Sequence, residues 1–376
     1  MILVIFGTTG ELIKLAPVLL ELDQRGHAYF LATTGQQVDQ IPTFLHQFGL
    51  RQPDVWLACG AEGRDLSVPA DIPGWLSMVV LSCLREGPRL RQALAQGPGR
   101  GLVLVHGDTM TTVLGAAFGR TLRFPVAHVE SGLRSFDLRN PFPEEMNRRL
   151  ATTLARIHYA PGPWAAANVR GGEVVDTRSN TIRDSLALVP EGDPPLSLPG
   201  RQFGIVSLHR FELLRNRPLL SATLTTLAQA AQRTPLLFID HSVTRAAVER
   251  FRLEGVFDET RFVRVPRLPF FDFVRLQRKC AFVVTDSGGS QEECFYLDRP
   301  CLLHRVRTER REGLGENAVL SRMKIDILRD FLDDPSRFRR RSHLPAESPS
   351  KVIVDHLERR GFAAGGKRRM LEARLG

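Results

Sequence analysis

Three carboxylates stand where short apolar runs give way to polar residues: Asp108 in HGDTMTT, Glu130 in HVESGLRS and Glu144 in PFPEEMNRR. Acids brought close together divide into proton donor and proton acceptor, because each charge pushes its neighbour's pKa away. Such a set suits moving a proton on and off a substrate. Thirteen residues separate Glu130 from Glu144, few enough for both to reach one site. Structural readings compete with this one. Asp108 before Thr109 makes a good helix N-cap. Pro143 fits a first helical position, where Glu144 and Glu145 complement the helix dipole. Arg148 and Arg149 follow at spacings that pair with those glutamates. Glu130, at the end of PVAHV, is harder to read as a cap.

A second group suits a nucleotide. TDSGGSQEE follows a strong apolar run and opens a helix. Gly288 and Gly289 let a phosphate approach the backbone, free N–H groups at a helix start favour anions, and Ser287 adds a hydroxyl. Glu293, further along that helix, is placed to take a ribose diol. The motif alone suits a plain tight turn equally well. His209 in SLHRFE and His241 in IDHS stand at the ends of other apolar runs, with no spacing that resembles a metal site. FGTTGELIK is a further strand–turn–helix signal, but Gly7 and Gly10 fit neither G-x-G-x-x-G nor the Walker pattern. Lys14, one of only five lysines, lies one turn into its helix.

The elements that position these residues are readable from the apolar runs. Candidate strands are residues 2–6, 28–34, 102–106, 125–130, 157–160 and 173–177. A second series covers 203–209, 235–240, 262–265, 281–286 and 300–305. Continuous Val/Ile/Leu runs separated by helix-like stretches indicate parallel strands buried on both faces. Two such series predict an α/β chain of two doubly wound, Rossmann-like halves, with EGDPPLSLPG (191–200) as connector. We expect domains at 1–180 and 181–350 and a C-terminal helix with a basic tail at 351–376. In open parallel sheets ligands bind beyond the carboxyl ends of strands, where every motif above falls.

Composition narrows the function classes. The chain has 376 residues and a net charge of +10, carried mostly by scattered arginines. Only FRRRSHLP and GGKRRMLEARLG form basic clusters, without interleaved aromatics, so stacking on nucleic acid is unsupported. No apolar run is long enough to span a membrane, and the start of the chain lacks a basic flank before its apolar run. A cytoplasmic location is expected. Cys59, Cys83, Cys280, Cys294 and Cys301 show no C-x-x-C pair and read as reduced thiols, with no metal site.

Taken in order, FGTTGELIK, TTGQQ, HGDTMTT, HVESGLRS, PFPEEMNRR, HYAP, SNTIRDSL, LHR, DHS, TDSGGSQEE and TER resemble the UDP-N-acetylglucosamine 2-epimerase family, in its non-hydrolysing branch. The resemblance runs from residue 6 to about residue 310. It implies a glycosyltransferase-B-like fold, two Rossmann-like halves around a cleft for a UDP-sugar. It implies Phe273 against the uracil, Ser287, Gly288 and Gly289 against the diphosphate, and Glu293 on the ribose. His241 and Lys14 match positions that line the cleft, and Asp108, Glu130, Glu144 and His209 match catalytic ones. The implied reaction eliminates UDP and the C2 proton to a glycal and adds UDP back with inversion, without metal or redox cofactor. A homodimer is implied as well. Rival readings are a hydrolysing 2-epimerase, a UDP-sugar glycosyltransferase of the same fold and a non-catalytic UDP-sugar binder. The chain departs from the family pattern at Thr9, where G-T-R-P-E has arginine, at Gln37 and Val38 in place of the His-Arg of T-G-Q-H-R, and at Phe211 and Leu213 in the LHR motif. Those departures fall on substrate and effector contacts of the family.

Overall fold

A computed structural model of the chain describes residues 1–66, 69–138, 142–198, 200, 202–258, 260–339 and 346–365. The chain forms two compact units, Met1–Leu188 with Pro345–Gly376, and Val189–Leu344. The first crossing falls just before the expected connector. The second returns the C-terminal helix to the first unit, whereas the sequence reading set it apart as a tail. That helix, Pro349–Arg359, is tied there by Arg25, which pairs with Asp355 and Glu358, and by Ser348 donating to Asp184 (2.7 Å). Most of the two basic clusters, 340–345 and 366–376, lies outside the described residues.

The first unit is built on seven parallel strands: β1 (Ile2–Phe6), β2 (Tyr29–Thr33), β3 (Val55–Trp56), β4 (Leu102–His106), β5 (Val126–Val129), β6 (Ile157–Ala160) and β7 (Glu173–Asp176). They lie in the order β3-β2-β1-β4-β5-β6-β7. The second unit has six: β8 (Gly204–Ser207), β9 (Leu236–Asp240), β10 (Phe262–Pro266), β11 (Phe282–Thr285), β12 (Cys301–Leu303) and β13 (Ala318–Leu320), in the order β10-β9-β8-β11-β12-β13. Both sheets are parallel throughout.

The second sheet shows why its strands read as unbroken apolar runs. Val206, Phe238, Phe262, Val284 and Leu302 enter one core cluster, while their neighbours Ile205, Leu237, Val263, Val283 and Cys301 enter or pack against another. Alternate side chains point to opposite faces, and helices cover both. Leu3, Ile5, Val103 and Val105 form the same kind of layer in the first unit. In each sheet the strand order reverses once, between β1 and β4 and between β8 and β11. The loops leaving those strands diverge there and open a crevice at the carboxyl ends.

Candidate active site

The first unit's reversal point is built from the loops after β1 and β4. Thr8 caps the helix Thr9–Gln24, and Glu11 closes a capping box with it. Glu11 does more than cap. Its buried carboxylate accepts from the N–H groups of Gly7 (2.8 Å) and Thr8 (2.9 Å), and from the hydroxyls of Thr109 (2.7 Å) and Thr112 (3.1 Å). One side chain thereby clips the two diverging loops together. Burial raises the Glu11 pKa above the usual carboxylate range, and the four donors pull it back down. Gly7 is required on this floor: a Cβ there would lie 2.1 Å from Thr111 Oγ1 and 2.3 Å from Thr34 Oγ1.

The cap on the helix after β4 falls one residue later than expected. Thr109, not Asp108, is the N-cap of Met110–Thr121. Asp108 is left partly exposed beside Arg148, which donates to Oδ2, while Asn147 donates to the Asp108 carbonyl (2.9 Å). Both partners lie on the helix Glu144–Leu154, so Asp108 is joined to the helix that begins with Glu144. That helix also starts one residue later than expected: Pro143 is its N-cap and half-buried Glu144 its first residue. The preceding residues 139–141 lie outside those described. Glu145 is fully buried and accepts from Ser135 N (2.9 Å) and Arg149 Nε (3.2 Å), fastening the HVESGLRS loop to the helix.

Glu130 follows β5 with φ +65°, in the left-handed region that non-glycine residues seldom occupy. The residue is 6% exposed, and Lys14 Nζ and Asn180 Nδ2 both donate to Oε2. His106 Nε2 stands 4.0 Å from the same oxygen. Two residues on, Gly132 has φ +89°, and a Cβ there would strike the Ala165 carbonyl at 2.0 Å. The loop is thus folded tightly enough to hold Glu130 against Lys14.

The second unit's reversal point lies after β8 and β11. Asp286 is fully buried, and its Oδ2 accepts from the backbone N–H of His209 and of Arg210, both at 2.8 Å. Burial raises its pKa, and those two N–H groups oppose the shift. The rings of His209 and His241 lie 4.7 Å apart, and His241 Nε2 shares a hydrogen bond with Ser207 Oγ (3.0 Å). Burial, with Arg210, Arg267 and Arg305 nearby, lowers His209 to about 4. Burial, with His209 and Arg267, lowers His241 to about 3. Both rings are neutral at physiological pH and can each donate one N–H.

Ser287 caps the helix Gly288–Tyr296, accepting from Ser290 N (3.5 Å). The two glycines that follow have different reasons. A Cβ on Gly288 would sit 2.9 Å from Glu309 Oε1 and 3.1 Å from Arg310 Nε, whereas Gly289 meets nothing closer than Ser287 Oγ at 3.6 Å. Packing therefore demands the first glycine and leaves the second open to an approaching ligand. Half-buried Glu293 accepts from Gln277 Nε2 (2.9 Å), and Phe273 packs partly buried on the core. Beneath the helix start runs an ion network: Arg305 to Glu309 (3.4 Å), Arg310 to Glu309 (3.8 Å) and Arg310 to Glu292 (3.0 Å). Thr308 Oγ1 donates to Gln291 (2.8 Å), which binds the TER segment to this helix.

Lys14, Asp108 and Glu130 thus gather at the first unit's reversal point, and Glu144 opens the helix whose Asn147 and Arg148 reach Asp108. His209, His241, Ser287, Gly288 and Gly289 gather at the second's, with Glu293 and Phe273 on the adjoining helices. Glu145 pairs with Arg148 and Arg149 as their spacing suggests, whereas Glu11, Asn180, Asp286 and the buried Arg305–Glu309–Arg310–Glu292 network are not among the residues singled out from sequence. Only Glu11 carried a usable signal, the Thr8-x-x-Glu11 capping box. Among the described residues no group of three His, Cys, Asp or Glu side chains is placed to hold a metal ion.

Comparison with known proteins matches this arrangement. A UDP-N-acetylglucosamine 2-epimerase from Methanococcus maripaludis is 29% identical, over 84% of this chain and 86% of its own. One from Bacillus subtilis is 28% identical, over 95% and 94%. The crystal structure of a UDP-GlcNAc 2-epimerase from Neisseria meningitidis bound to UDP-GlcNAc superposes with a TM-score of 0.76 at 25% identity, covering 95% of this chain and 99% of that one. The two Rossmann-like sheets are therefore those of a glycosyltransferase-B-like epimerase fold. The family model for UDP-N-acetylglucosamine 2-epimerase matches residues 95–329, more than half the chain, and this chain belongs to that family.

Proposed function

We propose that this chain is a non-hydrolysing epimerase that inverts C2 of a UDP-2-acetamido sugar, most simply interconverting UDP-N-acetylglucosamine and UDP-N-acetylmannosamine. The observation that carries the reading is Glu130: a buried carboxylate on a left-handed backbone, gripped by Lys14 and Asn180 at a strand end. Such a backbone costs about 1–3 kcal/mol, and strain of this kind collects at functional sites.

In the first half-reaction a base takes the proton from C2. The C1–O bond breaks with its electron pair leaving on UDP, and a C1=C2 bond forms. In the second half-reaction the UDP oxygen adds back to C1 and a proton arrives at the other face of C2. The sum is redox-neutral. We assign Asp108, Glu130 and Glu144 to the proton steps. Their different settings favour separate roles: Glu130 sits beside an ammonium, Asp108 beside a guanidinium, Glu144 at a helix start. Lys14 acts as a positioning residue through Glu130. His209, neutral at rest, donates an N–H to the departing diphosphate, and His241 lines the same pocket wall. Phe273 takes the uracil, the Ser287-Gly288-Gly289 turn the diphosphate and Glu293 the ribose.

The test is solvent exchange. Purified protein incubated with UDP-N-acetylglucosamine in deuterated water is expected to place deuterium at C2. No exchange with any UDP-HexNAc overturns the reading, and free sugar released one-for-one with UDP assigns the hydrolysing reaction instead.

We also propose a cytoplasmic homodimer. Among the described residues no helix is long and apolar enough to cross a membrane. The helix Ile72–Gln96 leaves Leu76, Val80, Leu81 and Leu84 exposed, the last two by 65% and 71%. An apolar stripe of that kind suits a second copy of the chain. L81E/L84E is expected to yield monomers by light scattering, and an unchanged mass removes this surface from consideration.

A further inference from the structure

One concave feature of the first unit lies away from Asp108 and Glu130. A cavity of about 1080 Å³ opens where β5, β6 and β7 begin, lined by Pro125, Ile157 and Glu173 at those strand starts. Asp108 and Glu130 lie at the opposite, carboxyl ends of β4 and β5. Seven arginines line the cavity, against a single carboxylate, Glu173. That carboxylate is already shared between His356 (3.0 Å) and Arg360 (3.3 Å). Arg100, Arg120, Arg156 and Arg170 have no carboxylate partner among the described residues, and all four are exposed.

The walls are fixed. Arg134 is only 8% exposed and is held by the Leu133 carbonyl (2.8 Å) and Thr152 Oγ1 (3.0 Å). Gly172 has φ +75° and lets the backbone close on Arg156 and His158, where a Cβ would approach to 2.7 Å and 2.8 Å. His158 is buried, bonded to Ser131 Oγ (3.1 Å) and lowered to about 4 by burial and by Arg134. It adds a neutral polar edge to the cavity rather than another charge. Guanidiniums crowded into one concavity repel one another, and an anion with several oxygens relieves the repulsion while accepting forked hydrogen bonds.

We propose that this cavity binds a small polyphosphorylated molecule, its phosphate chain held by Arg134, Arg149, Arg156 and Arg170. The volume is that of a small-molecule site. Phe136, 63% exposed and in edge contact with Trp164, offers one aromatic face, enough for a single nucleoside and too little for a strand of stacked bases. The site is separate from the UDP-binding residues assigned above, all of which lie in the second unit, and it stands whether or not the epimerase reading holds.

Calorimetric titration of the full chain with inorganic tripolyphosphate, and in parallel with ATP, tests the proposal at about 0.15 M salt, where charges beyond about 8 Å are screened. R156E/R170E is expected to weaken tripolyphosphate binding by about tenfold or more, with melting temperature and UDP affinity unchanged. A charge-matched control in the second unit, R322E/R329E, is expected to leave tripolyphosphate binding intact, as is E293Q. ATP binding more tightly than tripolyphosphate, with the difference lost in F136A, makes the occupant a nucleotide. Equal affinity of R156E/R170E and wild type overturns the proposal, as does equal weakening by R322E/R329E. Single-stranded DNA binding more tightly than tripolyphosphate also overturns it, in favour of a nucleic-acid surface.

Discussion

The two units repeat one device with different parts. Each reversal point is closed by one buried carboxylate that bridges its diverging loops: Glu11 joins the loops after β1 and β4, and Asp286 joins those after β8 and β11. Around that shared clip the chemistry differs. The first unit sets carboxylates against cations, Glu130 with Lys14 and Asp108 with Arg148. The second sets neutral imidazoles and a glycine-rich helix start around its clip. The scaffold fixes where a ligand can be met, and the loop residues decide what happens there. If that division is right, the two units fail differently when broken.

The largest expected effect is on the first unit's acids. E130Q and E144Q should each lower C2 exchange by roughly 10²–10⁴-fold while UDP affinity stays the same. E130Q also leaves Lys14 buried without its carboxylate, which costs about 3–5 kcal/mol. The double variant K14M/E130Q separates the two consequences, since it should recover melting temperature without recovering exchange. Recovery of both would mean that the pair only supports packing.

Removing the clips is next in size. E11A strands two backbone N–H groups and removes the main acceptor of the Thr109 hydroxyl, while Thr112 keeps the His106 carbonyl (2.6 Å), and D286A strands two N–H groups, at about 1–3 kcal/mol for each group left unsatisfied. Both should lower the midpoint of urea unfolding. In the fraction still folded, E11A should depress exchange with UDP binding intact, and D286A should depress UDP binding first. Loss of both activities in both variants would erase the distinction between the units.

These clips also mark the limit of what the sequence discloses. The eleven expected strands are all present because their apolar runs are buried on both faces. The strands that were missed, β3 and β13, are edge pieces of two and three residues, too short to carry a pattern. Glu11 reads as an ordinary cap, since its second pair of donors lies about a hundred residues away in the chain. Asp286 reads as the tail of a strand, because its partners are backbone groups that no side-chain pattern announces. Asp108 shows the opposite error. Asp-Thr offers two possible caps, and only the helix geometry chooses Thr109 and releases Asp108 toward Arg148. Long-range polar pairs are absent from local periodicity, and this site is made mostly of them.

Acidification should distinguish the units more gently. His209, His158, His128 and His304 are lowered to about 4 and His241 to about 3, with burial the largest cause in each. Below the ordinary histidine value of 6.5 the unfolded chain binds protons that the folded chain refuses, so stability falls as pH drops from there toward 4. Glu11 and Asp286 act with the opposite sign: their raised values keep protons on the folded chain, and they favour folding as pH falls through the carboxylate range. At about pH 5.5 the lowered histidines are midway through their window, and each should take up about one proton on unfolding. H209Q/H241Q should remove about two of these protons and flatten the pH dependence of the urea midpoint. An unchanged slope would place the acid sensitivity elsewhere than the second unit's reversal point.

The smallest expected effect concerns the family departures at residues 9 and 37, which turn out to be one feature. The Thr9 backbone N–H and Oγ1 both donate to Gln37 Oε1, at 2.9 Å and 2.8 Å. Neither residue is a stray loss, because each occupies the other's hydrogen-bonding capacity, and Gln37 N is itself held by the Gly7 carbonyl (2.8 Å). Restoring arginine at position 9 alone should therefore disturb the floor of the first unit rather than repair it. T9R is expected to lower stability by about 1 kcal/mol, and T9R/Q37H to recover most of it. A cycle of T9A, Q37A and the double variant should give a coupling of about 1 kcal/mol. Independent, additive losses would mean that the two departures arose separately. They would also return Thr9 to the role of a lost substrate contact, leaving the first unit's floor open where this structure has it tied shut.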